Sequence, residues 1–95
     1  MKLRWMPEAE TCLAGIESYI TAETSATQAR AMLKRIVERA EILRERPRSG
    51  RKVQPDNRDD LRVTHERPYW IYYRIKSDVV EILLVWHYRQ RPPPS

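Results

Sequence analysis

Two adjoining segments determine the architecture of this chain: Tyr69–Lys76 (YWIYYRIK) and, after Ser77 and Asp78, residues 79–88 (VVEILLVWHY). The first segment alternates with a period of two, as does a strand with one buried face. One set of alternate residues is Tyr69, Ile71, Tyr73 and Ile75, and the other is Trp70, Tyr72, Arg74 and Lys76. The second segment is apolar on both faces, which is typical of a strand in a central position. Ser77 and Asp78 form the tight turn of an antiparallel hairpin.

A third strand precedes this hairpin. Leu61, Val63 and His65 alternate with the polar residues at 62, 64 and 66, which predicts the first strand of a three-stranded meander. By this alternation we expect Arg62 on the open face of the sheet. There, Arg62→Ala should change the free energy of unfolding by no more than about 0.5 kcal/mol. The same open face is expected to carry Trp70, Tyr72 and Arg74.

The N-terminal half has a helical period instead. Residues 1–5 predict a short strand, and Pro7 lies in the first turn of a helix that ends near Glu23. A second helix follows, capped by Ser25 or Thr24. So few polar residues separate the helices that we expect an antiparallel hairpin covering one face of the sheet. The apolar stripes are Ala9, Cys12, Leu13, Ile16, Tyr19 and Ile20, then Ala29, Leu33, Ile36, Val37, Ala40 and Leu43.

The predicted fold class is therefore α+β, in the order β-α-α-β-β-β, with the helical hairpin packed on a small, mainly antiparallel sheet. Pro47 and Gly50 end the helical half, and residues 46–60 are predicted to form a basic, polar loop. With 95 residues, the chain has room for a single domain over 1–95, with a proline-rich tail at 92–95.

The composition argues against several classes of protein. There is no apolar run of bilayer length and no secretory signal, so we expect a cytoplasmic protein with no membrane partner. The lone Cys12 excludes a disulfide framework and a multi-cysteine zinc site. The only histidines are His65 and His87, and there is no glycine-rich phosphate loop. We therefore expect neither a metal nor a cofactor.

The charge is basic and uneven. The net charge is +5, and residues 47–95 contain ten basic and six acidic side chains. Most of the basic residues are arginine, whose planar guanidinium binds phosphate or carboxylate through a fixed fork of donors. Such a field suits nucleic acid or an acidic protein segment, and composition alone does not separate the two.

The candidate functional surface combines these arginines with aromatic residues, and two functions fit it. In one, aromatic rings stack bases, arginines hold phosphate and His87 acts as acid or base in cleavage at a ribose 2′-hydroxyl. In the other, the surface docks a protein. Arg74 has a structural alternative, an ion pair across the hairpin with Glu66 or Glu81. The candidate residues are Arg62, Trp70, Tyr72, Arg74, His87, Tyr88, Arg89 and Arg91.

Motifs spread over nearly the whole chain resemble a known family. They are Trp5, Ala9, Leu13-x-x-Ile16-x-x-Tyr19-Ile20, Ala29, Leu43-x-x-x-Pro47-x-x-Gly50-Arg51, Leu61-Arg62, Tyr69-Trp70-Ile71-Tyr72-Tyr73-Arg74 and Val80-x-Ile82-x-x-Val85-x-His87-x-x-x-Arg91. In order and spacing, these residues resemble the ParE branch of the RelE/ParE toxin superfamily. Its members are the toxin halves of bacterial type II toxin–antitoxin modules.

The resemblance implies a function and partners. ParE-type toxins inhibit DNA gyrase without nuclease chemistry, and we expect neutralisation by a ParD-like antitoxin in a hetero-oligomer, with a role in plasmid stabilisation. RelE-type toxins are instead ribosome-dependent endonucleases that cleave messenger RNA without a metal. Under the ParE interpretation, the candidate residues above bind the target and none is catalytic.

Departures from the nuclease pattern favour the ParE interpretation. RelE-type nucleases place two lysines on the first meander strand, an arginine on the next, another on the last, and a C-terminal tyrosine. Here those positions hold Arg62, Thr64, Trp70 and Arg89, and the tyrosine has no counterpart. A nuclease would have to use Arg62, His87 and Arg89, a set too small to stabilise the transition-state charge. The alternatives are a RelE-like ribonuclease and a degenerate member that binds only antitoxin.

Overall fold

The computed structural model describes residues 1–90, and its elements follow the predicted α+β order with one addition. In chain order they are β1 (Lys2–Trp5), α1 (Pro7–Glu23), α2 (Ala26–Ile42), β2 (Arg51–Lys52), β3 (Leu61–Glu66), β4 (Tyr69–Lys76) and β5 (Val79–His87). The addition is β2, a two-residue strand within the segment that was predicted to be a loop. No helix in this part of the chain is long and apolar enough to cross a membrane.

Both helices begin where the sequence supplies a start signal. Pro7 lies in the first turn of α1, together with two glutamates that favour the positive end of the helix dipole. The N-cap of α2 is Ser25, whose Oγ accepts a hydrogen bond from the backbone N–H of Gln28 at 3.1 Å. Because only Thr24 and Ser25 separate the helices, they pack against each other as the predicted hairpin.

The five strands form one mixed sheet in the order β1-β5-β4-β3-β2. Strands β3, β4 and β5 are the predicted antiparallel meander. The apolar strand β5 is interior, as expected, because β1 pairs with it in parallel on its other side. In that pairing Leu3 lies beside Val80 and Trp5 beside Ile82.

The core lies between the helical hairpin and one face of the sheet. Its buried residues are Ala9, Ile16, Ile36, Ala40, Leu43, Tyr69, Ile71, Tyr73, Val80, Ile82 and Val85. Two residues of the predicted stripes are exposed instead, Tyr19 at 63% and Val37 at 38%. Tyr19 is exposed because it lines an open groove between α1 and the end of β5.

The side chains of β3 point to the opposite faces from those predicted. The two-residue turn between β3 and β4 places Glu66 opposite Tyr69 and therefore Arg62 opposite Tyr73. Residues directly opposite each other in an antiparallel pair share one face, so Arg62 lies on the helix-covered face with Tyr73. It is only 8% exposed. The prediction that Arg62 lies on the open face is wrong, and the small effect expected of Arg62→Ala loses its basis.

An irregularity between β4 and β5 changes the faces at the C-terminal end of the sheet. The register shifts after Tyr72, so β5 carries one extra residue there. Beyond this bulge Trp86 lies opposite Trp70, on the open face, and His87 lies opposite Tyr69, on the face that the helices cover. His87, predicted to belong to the same functional surface as Trp70, Tyr72 and Arg74, therefore lies on the opposite face of the sheet, and that prediction is wrong.

Candidate functional site

Three rings meet at one end of the open face, and we call them the aromatic cluster. His65 and Trp70 lie opposite each other on β3 and β4, with ring centroids 5.7 Å apart and planes 25° from parallel. Tyr88 follows β5, and its ring centroid is 4.7 Å from that of Trp70. A hydrogen bond of 2.6 Å joins the Tyr88 hydroxyl to Nδ1 of His65. The backbone N–H of Tyr88 also donates to the carbonyl of Pro68 at 2.9 Å, so the ring is held over the sheet.

Arg51 and a cleft adjoin the aromatic cluster. The guanidinium carbon of Arg51 lies 5.2 Å from the ring centroid of Trp70, within cation–π distance. Among residues 1–90, no carboxylate forms an ion pair with Arg51. The cleft has a volume of about 360 Å³. It is lined by Arg39, Ser49, Gly50, Arg51, Val63, Thr64, His65 and Trp70. This end of the face therefore offers rings and a guanidinium that has no carboxylate partner, beside a cleft that extends to the helix-covered side of β3.

At the other end of the open face, one carboxylate holds two arginines. Nη2 of Arg74 lies 2.6 Å from Oε1 of Glu81, and Arg4 lies 3.7 Å from the other carboxylate oxygen. Glu81 is only 3% exposed, and hydrogen bonds from Arg74 hold the pKa of its carboxyl below the ordinary value. Arg74 is on the predicted face, but its guanidinium is committed to the ion pair that the sequence offered as the structural alternative.

Arg62 holds the loop before β3 in place. Its Nη1 donates to the carbonyls of Gly50 at 2.8 Å and Arg48 at 3.3 Å, and its Nε donates to the carbonyl of Asp59 at 2.9 Å. Nη2 donates to the carboxylate of Asp59 at 2.7 Å. Hydrogen bonds from Arg48 and Arg62 lower the pKa of the Asp59 carboxyl. These donors point into the loop and not toward a partner.

A second anchor completes this arrangement. The hydroxyl of Tyr73 donates to the carbonyl of Pro47 at 2.7 Å and accepts from the N–H of Gly50 at 2.9 Å. Burial raises the pKa of Tyr73. At position 50 an added Cβ would lie 2.9 Å from the backbone oxygen of Val63, so the close approach requires glycine. We call Arg62, Asp59, Tyr73 and Gly50 the loop clamp. It fixes the residue that directly precedes Arg51.

His87 has a structural role in this conformation. Its Nδ1 accepts a hydrogen bond from the backbone N–H of Arg89 at 2.9 Å, so a neutral ring carries its proton on Nε2. The ring meets Tyr69 edge-on at a centroid distance of 5.2 Å. His87 and Arg89 also line the groove against α1, whose volume is about 510 Å³.

The predicted site residues thus fall into separate environments. Trp70, Tyr72, Arg74 and Tyr88 lie on or over the open face, Arg62 is in the loop clamp, and His87 and Arg89 line the groove. Arg91 lies outside the described residues. His65 and Arg51 belong to the site as well, although neither was predicted to. The two-residue turn was the usable signal for His65, because it places that residue opposite Trp70.

The three residues expected of a nuclease do not converge. Arg62 and His87 pair with Tyr73 and Tyr69, which are four residues and therefore about 13 Å apart along β4. The donors of Arg62 are occupied by the loop. Within residues 1–90, no group of three or more His, Cys, Asp or Glu side chains is placed to hold a metal ion.

Comparisons with known proteins support the fold and identify the family. A solved structure titled "Chromosomal ParDE TA system from P. aeruginosa" resembles the chain with a TM-score of 0.78 at 24% identity, covering 92% of this chain and 95% of that one. No curated protein matches the chain. The model of the family described as "ParE toxin of type II toxin-antitoxin system, parDE" matches residues 3–92. The match spans almost the whole sequence, and the chain therefore belongs to the ParE toxin family of type II toxin–antitoxin systems.

Proposed function

We propose that this ParE-family toxin acts in the cytoplasm by inhibiting DNA gyrase, and that a ParD-like antitoxin neutralises it. The observation that carries the proposal is the family match over residues 3–92. The departures from the nuclease pattern at Thr64 and Trp70 support it further, since a metal-free nuclease needs several cations around the scissile phosphate. A contribution to plasmid stabilisation follows from such a toxin when its module lies on a plasmid.

The groove between α1 and the end of β5 supports the antitoxin part of the proposal. Its lining includes Ile16, Tyr69 and Val85 from the edge of the core and the exposed ring of Tyr19. An apolar groove beside a surface of net positive charge suits a segment that is apolar on one side and acidic on the other. Such a segment, disordered when free, would fold on the toxin as it binds and give a hetero-oligomer.

For the gyrase contact, we propose the aromatic cluster together with the residues that follow β5. Trp70, Tyr72 and Tyr88 supply aromatic area, and Arg89 and Arg91 supply charge for docking to a large partner. Tyr72 is half-buried between its neighbours on the open face. Arg62 and Arg74 serve this contact indirectly in the proposal, by holding the loop and the hairpin.

A gyrase supercoiling assay tests the target. Purified toxin should inhibit supercoiling in proportion to its concentration, and added antitoxin should restore it. The parallel reaction contains programmed ribosomes and messenger RNA. Cleaved message with unimpaired supercoiling would assign the ribonuclease function. No effect in either reaction, with antitoxin binding intact, would assign the degenerate member.

Growth inhibition by variants tests the residues. Arg89→Ala combined with Arg91→Ala should reduce toxicity more than His87→Gln does, because His87 is engaged within the fold. Capture by antitoxin verifies that each variant folds. If His87→Gln abolishes toxicity while the double arginine variant stays fully toxic, the gyrase proposal gives way to the ribonuclease.

A further inference from the structure

The groove between α1 and the end of β5 exists because the N-terminal chain leaves the sheet early. Strand β1 pairs with β5 only from Val79 to Ile82, and after Trp5 the chain turns into α1. Strand β5 continues to His87, so within residues 1–90 no strand lies beside its remaining part on that side. This end of β5 and the adjoining side of α1 line the groove, whose volume of about 510 Å³ is large enough for side chains of a partner.

Four residues of α1 line the groove, and Gly15 is the one without a side chain. Cys12, Gly15, Ile16 and Tyr19 recur at spacings of three and four residues, so they share one side of the helix. A Cβ added at position 15 would meet no heavy atom within 4 Å, leaving aside the adjoining residues and the backbone of the same helix. The space in front of Gly15 is therefore open and continuous with the groove.

Nothing within residues 1–90 requires glycine at position 15. No glycine of this part of the chain has a positive φ, and no other element approaches Gly15 as closely as Val63 and Tyr73 approach Gly50. Glycine is also the least favourable residue in a helix interior after proline. What glycine does permit is the close approach of another backbone or of a ligand. At position 15 such an approach has to come from outside the described chain.

The lining of the groove matches an apolar side chain with a carboxylate near it. Ile16, Tyr69 and Val85 are buried and supply apolar surface. Arg89 is the one charged side chain among the described residues that line the groove, and it forms no ion pair with a carboxylate within residues 1–90. A segment that is both apolar and acidic therefore complements this groove, and a basic segment does not.

We propose that Gly15 determines which antitoxin this toxin accepts. One large apolar side chain of the antitoxin packs against the bare helix backbone at Gly15, and a neighbouring carboxylate of the antitoxin pairs with Arg89. The inference rests on the proposed neutralisation by a ParD-like antitoxin and deepens it, because it assigns partner choice to one position. A side chain at position 15 would fill the space that the antitoxin residue needs, and steric exclusion of this kind gives interfaces their specificity.

Isothermal titration calorimetry of the full-length toxin with the ParD-like antitoxin encoded beside it tests the role of Gly15. Gly15→Ala should weaken binding about tenfold and Gly15→Leu at least about 100-fold, since one misplaced methylene in an apolar contact changes discrimination by roughly 10–200-fold. Neither change should lower the urea midpoint of the free toxin, because alanine and leucine both favour a helix more than glycine does. The urea midpoint thus separates lost affinity from lost folding.

Ala14→Leu is the matched control. It enlarges an exposed residue of the same helix that does not line the groove, so its affinity should stay within about twofold of the parent, as for an ordinary surface change. If Gly15→Leu binds antitoxin as tightly as the parent, or if Ala14→Leu loses as much affinity as Gly15→Leu, the inference is overturned while neutralisation by the antitoxin stands.

A complementary change in the antitoxin identifies the inserted side chain. When each large apolar residue of the antitoxin is shortened to alanine in turn, one variant should bind Gly15→Leu at least about tenfold more tightly than the unchanged antitoxin does, because the two sites share one space. Failure of every variant to recover affinity would show that the loss at position 15 is not steric, and the inference would be wrong.

Two further outcomes separate this inference from the proposed function. An antitoxin that does not bind the parent toxin would overturn the proposed neutralisation and this inference together. Size-exclusion chromatography of the free toxin covers the remaining occupant. If the parent toxin forms a dimer that Gly15→Leu dissociates, the groove belongs to a second copy of this chain and not to the antitoxin.

Discussion

Arg51 and Arg62 lie side by side in the ladder between β2 and β3, and their environments are opposite. Arg62 is 8% exposed and directs four hydrogen bonds into the loop clamp. Arg51 is exposed, lies over Trp70 and has no ion-pair partner among residues 1–90. One arginine is thus part of the fold, and the other is available to a ligand. Arg51 pairs with Val63, and Lys52 pairs with Arg62. The two arginines therefore belong to successive pairs of the ladder, and their side chains lie on opposite faces of the sheet.

The role of each arginine follows from the hydrogen-bond acceptors around its guanidinium and not from its position in a basic segment of the sequence. Backbone carbonyls and Asp59 accept hydrogen bonds from four of the five N–H donors of Arg62. No such acceptors surround Arg51.

Arg62→Ala should lower the free energy of unfolding by at least about 3 kcal/mol, since hydrogen bonds from a charged donor contribute roughly 1.5–3 kcal/mol each. Arg51→Ala removes the same charge but only a cation–π contact, worth about 0.5–1 kcal/mol at an exposed site. Urea denaturation of both variants measures the difference. Equal losses in the two variants would remove the distinction between a structural and an available arginine.

Gly50→Ala should destabilise the protein by about 1–3 kcal/mol, because the new Cβ meets the hydroxyl of Tyr73 and the backbone oxygen of Val63 in a packed interior. Gly15→Ala is the matched control. Apart from its chain neighbours and the backbone of its own helix, a Cβ at position 15 would have no heavy atom within 4 Å. Alanine is favoured over glycine in a helix by roughly 0.8–1.0 kcal/mol. The two substitutions should therefore shift the urea midpoint in opposite directions. If Gly50→Ala leaves the urea midpoint unchanged, the loop clamp can adjust to an added Cβ and the close approach does not require glycine.

Tyr73→Phe should cost roughly 1–2 kcal/mol, since it leaves the N–H of Gly50 and the carbonyl of Pro47 without their shared partner. Amide hydrogen exchange offers a sharper readout than global stability. The Gly50 N–H should exchange much faster in the variant, while amides of α1 keep their protection. Unchanged exchange at Gly50 would contradict the anchoring role of Tyr73.

Acid should weaken the ion pair between Glu81 and Arg74 on the open face, and the sign follows from the lowered pKa of the Glu81 carboxyl. Its carboxyl binds a proton less readily in the folded chain than in the unfolded chain, where the ordinary value is 4.5. As the pH falls below that value, the unfolded state takes up the proton first, so stability falls; above it the contribution is fully present. Urea midpoints measured from about pH 7 down to about pH 3 should drop less steeply in Glu81→Gln than in the parent.

Asp78→Asn is the control for this pH series. It removes a carboxylate from the same hairpin, but Asp78 forms no ion pair within residues 1–90. Its acid profile should match that of the parent. If the urea midpoint of Asp78→Asn also falls less steeply with acid than that of the parent, the pH dependence comes from the overall charge and not from the ion pair of Glu81 with Arg74.

Most of the fold was predictable because it depends on local periods. The helices follow from apolar spacing, Pro7 and Ser25, and the meander follows from alternation and short turns. The face of the sheet on which each β3 side chain lies was also predictable. Once the alternate residues from Tyr69 onward are assigned to the core, a two-residue turn forces the face of Arg62. The alternation within β3 alone, without the turn that follows it, predicts Arg62 on the exposed face, where it does not lie.

Other features carried no local signal. The bulge in β5 falls in an unbroken run of aliphatic residues, without a glycine or proline to mark it. It still decides that His87 faces the helices. The short strand β2 depends on Arg62 and Tyr73 holding the loop, so its cause lies far along the chain. Trp70 and Tyr88 are predictable as site residues from their residue type. Arg51 is not, because its position over Trp70 depends on the formation of β2.

The parallel pairing of β1 with β5 has a consequence for synthesis. During translation the helical hairpin forms from neighbouring residues within a short time, because its contacts are local. The first strand, in contrast, has no partner until the strand at the other end of the described chain leaves the ribosome. The apolar sides of both helices therefore stay partly uncovered until β5 is available and the sheet closes over them. This chain therefore completes its sheet only after β5 has been made, and a chain that terminates before β5 cannot complete it.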